Sequence, residues 1–183
     1  ARTMSKGKAI RSPSDFKGMK VYRWTDDIIA PVTGSVIGYT GIPKSVPGLL
    51  PALKSGQVNA ITVPTLAAVN LQWASQLDHI VDQAAGVGVG GIVLSKKRLD
   101  GLPGDMKSMI IKTGADAGKM LVKRIRNEDA KAYKSCAKRM TVVKLSSSDK
   151  QAWSSVFKKI RRNLAQGTFS ASLVKKAESL AGR

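Results

Sequence analysis

Tyr22-Arg23-Trp24 places a guanidinium between two aromatic rings at the C-terminal end of a segment, Lys20 to Trp24, that reads as a strand. A planar guanidinium can donate two parallel hydrogen bonds to a carboxylate, and in open α/β sheets ligands gather outside the carboxyl ends of the strands. Arg23 could instead pair with Asp26 or Asp27, and the residues alone leave both accounts open. Gly86-Val-Gly88-Val-Gly90-Gly91 matches G-x-G-x-x-G, but a dinucleotide site needs a helix starting inside that pattern. Here Ile92-Val93-Leu94 continues as strand, so glycines admitting a neighbouring backbone or ligand are the better account. The adjacent Asp26 and Asp27 would point about 100° apart on a helix, which suits capping rather than acid–base chemistry. His79 is the only His and Cys136 the only Cys, which excludes an intramolecular disulfide, a multi-His metal centre and a thiolate zinc site. No P-loop or nucleophile elbow is present, and we expect neither an enzyme, a cofactor nor a metal.

The chain has 183 residues, 31 Lys plus Arg against 12 Asp plus Glu, and a formal net charge of +19. With 43% apolar residues in periodic runs it can bury a core, which excludes a disordered basic tail. The charge is uneven, net +4 over residues 1–95 and net +15 over 96–183. A basic half admits a nucleic-acid-binding reading. However, the basic residues alternate with apolar ones at helical spacing, only nine aromatics are present, and no nucleic-acid-binding motif appears. The longest uncharged apolar stretch, Gln83 to Ser95, is shorter than the ~20 residues a spanning helix needs. Ala1 to Lys8 lack the hydrophobic run of a signal peptide, so the chain is expected either to be cytosolic or to start downstream of processing or truncation.

Strands alternate with helices. After a capped turn at Ser12-Pro13-Ser14-Asp15, the strand Lys20–Trp24 leads to a helix capped by Thr25, with Gly38 and Gly41 ending it. A short strand near Ile42, a helix Pro47–Lys54, a strand Val58–Val63, a helix Thr65–Leu77 carrying Trp73, and a strand His79–Val81 follow. Ala85–Leu94 reads as a Gly-rich apolar strand. Asp105–Met140 reads as one amphipathic helix, about 54 Å if unbroken, long enough to bridge two bodies. Thr141–Leu145 returns as strand. Ser148-Asp149-Lys150-Gln151 reads as a capping box for a helix to about Ala165, and Ser170–Leu180 as a last helix. The alternation implies an α/β fold with mostly parallel pairing.

Three segments carry a family resemblance. Ala9–Val21 (AIRSPSDFKGMKV) resembles the "PI-K-S-x-x-D-x-K-G-L-K-I-R" segment of TRAP transporter solute receptors, the extracellular solute-binding proteins of family 7. Leu49–Ala60 resembles their "EVYxALQTGxVDG" element, and Ile92–Pro103 their "lliSKKxWdsLP" element, in the same order and with matching gaps. The resemblance implies a periplasmic-binding-protein-like (Venus-flytrap) two-lobe α/β architecture, here mainly the second lobe plus a long bridging helix. It implies that the first lobe's opening βα units have no counterpart before Ala1. Residues 1–84 would form a second-lobe segment. Residues 85–125 would be the strand and long helix returning to the mostly missing first lobe, and 126–183 the return strand and C-terminal helices.

The implied function is periplasmic capture of a small organic acid and its delivery to ion-gradient-driven TRAP membrane subunits, with basic nucleic-acid binding as the alternative. Nucleic acid is not the expected partner, and self-association of a truncated form is admitted. Arg23 would neutralise the carboxylate, Tyr22 and Trp24 would wall the site, and Thr62 and Pro64 would line it from the adjacent strand. The family's carboxylate-binding Arg falls at Tyr22, one residue before Arg23, and a second family Arg aligns with Arg2. Val63 and Gly48 replace a family Asn and Glu, so a standard sialic-acid or four-carbon dicarboxylate pocket is not expected.

Overall fold

The computed structural model describes residues 1–180; the last three positions of the 126–183 segment lie outside the described residues. Its central strand, β1 (Arg2–Ser5), was not apparent as a strand in the sequence. Thr3, Met4 and Ser5 are buried because both faces of the strand are covered. It runs antiparallel to β4 (Ala60–Val63) on one side, with Arg2 opposite Val63 and Ser5 opposite Ala60. On its other side it runs antiparallel to β5 (His79–Val81), which pairs in parallel with β6 (Thr141–Val143).

A two-stranded parallel ribbon, β2 (Tyr22–Trp24) with β3 (Ile42–Lys44), continues beside β4. Val21 bridges Ala60 in parallel, and the Lys20 carbonyl accepts from the amides of Asn59 at 2.9 Å and Ala60 at 3.3 Å. β2 and β4 nevertheless lie in separate sheets linked by this one bridge, so the single sheet expected to hold Lys20–Tyr22 and the 58–63 strand is not formed. The pairing is also mixed rather than mostly parallel: β1 inserts antiparallel between β4 and β5. Alternation in the chain marks which residues are extended, not the direction of a neighbour 60 residues away.

One face of the sheet packs Met4, Ile61, Val63 and Ile80 against α2 (Val46–Lys54) and α3 (Thr65–Asn70), with Trp73 at the centre. The Ser45 hydroxyl caps α2 by accepting from the Gly48 amide. The helix expected over 65–77 stops at Asn70, because Gln72 adopts a left-handed φ of 61° that a continuing helix excludes. A 3-10 turn at Ala74–Gln76 completes the segment and leaves Trp73 only 1% exposed.

The other face carries Ile10, Phe16, Val21 and Ala60, packed against Ile37, Tyr39 and Trp153. Here α1 (Ala30–Ile37) starts later than expected. Ile29, not Thr25, is the cap position, and Asp27 two residues before it accepts at Oδ1 from the amides of Ile29 at 2.8 Å and Ala30 at 3.0 Å. The helix ends at Gly38, whose φ of 93° lets its own amide and that of Tyr39 both reach the Gly34 carbonyl.

The apolar run Ala85–Leu94 does not form the expected strand. It is irregular and exposed, Val89 to 95%, and is tied to β1 only where Ala85 donates to the Ala1 carbonyl and the Ala1 ammonium donates to Gly86. A strand needs a partner for its amides and carbonyls, and among the described residues none lies alongside Val87 to Leu94. Nor does a helix open inside the glycine pattern.

After the short α4 (Lys96–Asp100), α5 (Gly104–Ala137) runs unbroken for 34 residues, about 51 Å. Its C-terminal end buries Ala132 and Cys136 beside α3, while Met109, Met120, Leu121 and Ile125 on its first two-thirds are exposed. The amphipathic α6 (Ser147–Leu164) begins two residues before the expected box: Ser146 is the cap, and Asp149 accepts from the Ser146 amide. The chain then forms α7 (Ala171–Leu180), held to α6 by an Arg161–Glu178 ion pair.

Candidate functional site

Strand alternation builds the floor of a cavity of about 290 Å³. Thr3 stands opposite Thr62, their hydroxyls 3.0 Å apart, and Val81 follows in the same row on β5. On β2, Val21 packs with Phe16 and Ala60 on this face, so Arg23, two residues on, shares it. The 3-10 turn adds Phe16, α1 adds Ile29, Ala30 and Thr33, and α6 adds Lys150, Trp153 and Phe157. Gln83 to Ala85 close one side.

Of the six residues singled out in the sequence, four meet at this cavity: Tyr22, Arg23, Trp24 and Thr62. Arg2 and Pro64 do not line it. Arg2 precedes Thr3 by one strand position and so projects from the opposite face. Its guanidinium lies 4.1 Å from the centre of the Tyr133 ring and donates to the Asp82 carbonyl. Pro64 would share the Thr62 face in a longer strand, but β4 ends at Val63 and the chain turns into α3.

The Arg23 stem lies across Gly41, and its Nε donates to the Gly41 carbonyl at 3.3 Å. Nη1 reaches the carbonyls of Trp24 and Thr25, both at 3.2 Å. No ion pair to Asp26 or Asp27 forms among the described residues, so the helix-start salt bridge is not what holds this side chain. Nη2 carries no protein hydrogen bond among the described residues.

A side chain at 41 would conflict with this arrangement, since a Cβ there would come within 2.9 Å of Arg23 Cδ. Gly41→Ala is therefore expected to displace the flexible arginine rather than the backbone. The protected Arg23 Nε–H resonance should be lost in a nitrogen-15 correlation spectrum, while stability changes by less than ~1 kcal/mol.

Tyr22 is 7% exposed, and its hydroxyl is buried with no partner among the described residues. Burial, and secondarily the Asp27 charge, pushes its pKa up to about 12, so it is a neutral donor at physiological pH. Burial and Asp27 raise the Tyr39 phenol as well. The Tyr22 ring packs edge-on against Trp24 at 5.4 Å.

Sequence reasoning missed Thr3, Phe16, Tyr39, Lys150, Trp153 and Phe157. Trp153 and Phe157, one helical turn apart, signal an apolar face on α6. Nothing local says that this face packs on Phe16, more than 130 residues earlier. Among the described residues no cluster of three or more His, Cys, Asp or Glu could hold a metal ion.

The frame is thus a mixed sheet flanked by helices, with a long helix leaving it and a small arginine-bearing cavity on one face. The model of the bacterial extracellular solute-binding proteins of family 7 (DctP) matches residues 1–167, and the chain belongs to that family. No curated protein matches it in sequence.

Its fold is similar to that of a TRAP periplasmic solute-binding protein from Shewanella oneidensis with bound succinate, at TM-score 0.85 and 17% identity, covering 100% of this chain and 59% of that one. A Desulfovibrio salexigens TRAP protein with bound orotic acid matches at 0.84 and 18%, covering 97% and 58%. A marine metagenome TRAP protein specific for aromatic acids, in complex with metahydroxyphenylacetate, matches at 0.81 and 19%, covering 98% and 59%. This chain thus spans about 59% of the length of the first of these. Among the described residues no helix is long and apolar enough to cross a membrane.

Proposed function

We propose that this protein acts in the periplasm as the ligand-capturing part of a TRAP receptor, taking up a small organic acid for ion-gradient-driven membrane subunits by binding rather than catalysis. The observation that carries this reading is Arg23. A guanidinium oriented by three backbone carbonyls, with Nη2 free among the described residues, faces a small cavity in a chain of this family. Its positive charge would meet a carboxylate away from bulk water, where a charge-assisted bond is strongest. Trp24 and Tyr22 wall the cavity and Thr62 supplies its floor.

The exposed apolar surface of Val87 to Leu94 and of α5 over 104–125 is where a second lobe would pack, with α5 spanning the two. Arg2 and Pro64 flank that boundary, Arg2 through Asp82 and Pro64 beside Gly88. A ligand touching both lobes favours the closed form by its differential affinity.

Calorimetric titration of the full chain with succinate, orotate and phenylacetate tests the reading. Saturable binding of at least one acid, surviving about 0.3 M salt, is expected. Absence of acid binding together with salt-sensitive DNA retention would instead favour the nucleic-acid alternative.

A further inference from the structure

The cavity is lined by aromatic rings to a degree that carboxylate capture alone does not require. Phe16 stacks on Tyr39 at 5.2 Å and meets Trp153 edge-on at 6.0 Å, and Trp153 stacks on Phe157 at 5.4 Å. Tyr22 and Trp24 form a further edge-on pair. The charges are few: Arg23 and Lys150 against Asp27, one net positive charge.

Several polar groups of the lining are occupied. The Thr3 and Thr62 hydroxyls bond each other, Thr33 Oγ1 donates to the Ile29 carbonyl, and Asp27 Oδ1 accepts two backbone amides. The Tyr39 hydroxyl, the Gln83 amide and the Lys150 ammonium carry no hydrogen bond among the described residues.

Resting on the receptor reading above, we propose that this site selects a monocarboxylate bearing an aromatic ring over an aliphatic dicarboxylate or a sugar acid. One net positive charge balances one carboxylate. A second carboxylate would be desolvated against aromatic walls and Asp27 with no cation left to meet it. A polyhydroxylated body would set most of its hydroxyls against aromatic rings and threonines already bonded elsewhere, with only Tyr39, Gln83 and Lys150 to pair the rest. An aromatic ring instead finds faces and edges to pack on, and a cavity of about 290 Å³, at the small end for ligand sites, suits one ring with a short acid arm.

Titration of the full chain with phenylacetate, 3-phenylpropionate, succinate and L-fuconate, repeated with Phe157→Leu, tests this. The aromatic acids should bind at least ~10-fold more tightly than succinate. Phe157→Leu should weaken the aromatic acids and leave succinate unchanged. Tighter binding of succinate or fuconate than of either aromatic acid overturns the selectivity while sparing the organic-acid reading. Equal losses for all acids in Phe157→Leu overturn it too. Failure of every acid to bind a chain with a cooperative melt removes the receptor reading itself.

Discussion

Replacing Arg23 with alanine should raise the dissociation constant of a bound organic acid by about 30-fold or more, because removing one partner of a desolvated charge pair costs ~2–5 kcal/mol. The fold should lose much less. The guanidinium's bonds to the carbonyls of Gly41, Trp24 and Thr25 are long and partly exposed, and their net contribution is about 1 kcal/mol. Arg23→Lys should fall between wild type and alanine in affinity, since an ammonium keeps the charge but not the two-pronged donor. Calorimetric titration beside thermal melts separates the two effects. Unchanged affinity in Arg23→Ala would remove this residue from the site and make Arg2 the next candidate. A loss of stability matching the loss of affinity would make Arg23 a structural strut of the β2–α1 turn.

The largest effect on stability is expected at Trp73. Its ring is 1% exposed, in one cluster with Leu49, Leu53, Ile61 and Ile80, and its centre lies 6.4 Å from that of Tyr22. Truncation to alanine there costs ~3–5 kcal/mol, a large share of the ~5–15 kcal/mol that holds a domain folded. Urea titration should show a sharply lower midpoint for Trp73→Ala. Trp24→Ala, at a residue 40% exposed, should barely move it. Similar midpoints for the two variants would mean that the ring is not the centre of the core.

Tryptophan also marks where local reading stopped. The sequence holds three tryptophans, and nothing in their neighbours distinguishes the core ring from the two that line the cavity. Trp73 is buried because Gln72 turns left-handed and delivers it under the sheet, a consequence of packing rather than of propensity. The two predicted caps that moved, from Thr25 to Ile29 and from Ser148 to Ser146, show the same limit on a smaller scale. Several Ser, Thr and Asp residues near each helix start could serve, and the approach direction of the chain selects one.

What the sequence determined by itself was everything set by short-range periodicity and spacing. The 3.6-residue repeat announced α5 and α6, alternation announced β2, β4, β5 and β6, and three ordered motifs pointed to the family whose model spans residues 1–167. The tripeptide Tyr22-Arg23-Trp24 was visible because its residue types are rare and adjacent. Tertiary structure alone decided the rest. β1 is a strand because two distant neighbours pair with it, whereas Val87–Leu94 carries a strand's composition and is irregular because none of the described residues pairs with it. Arg23 faces the cavity because Val21 is anchored beside Phe16 and Ala60, and Lys150, Trp153 and Phe157 join it from a helix more than 120 residues away. The partner of a strand and the far wall of a cavity are non-local, and no local pattern of side chains encodes which distant segment will supply them.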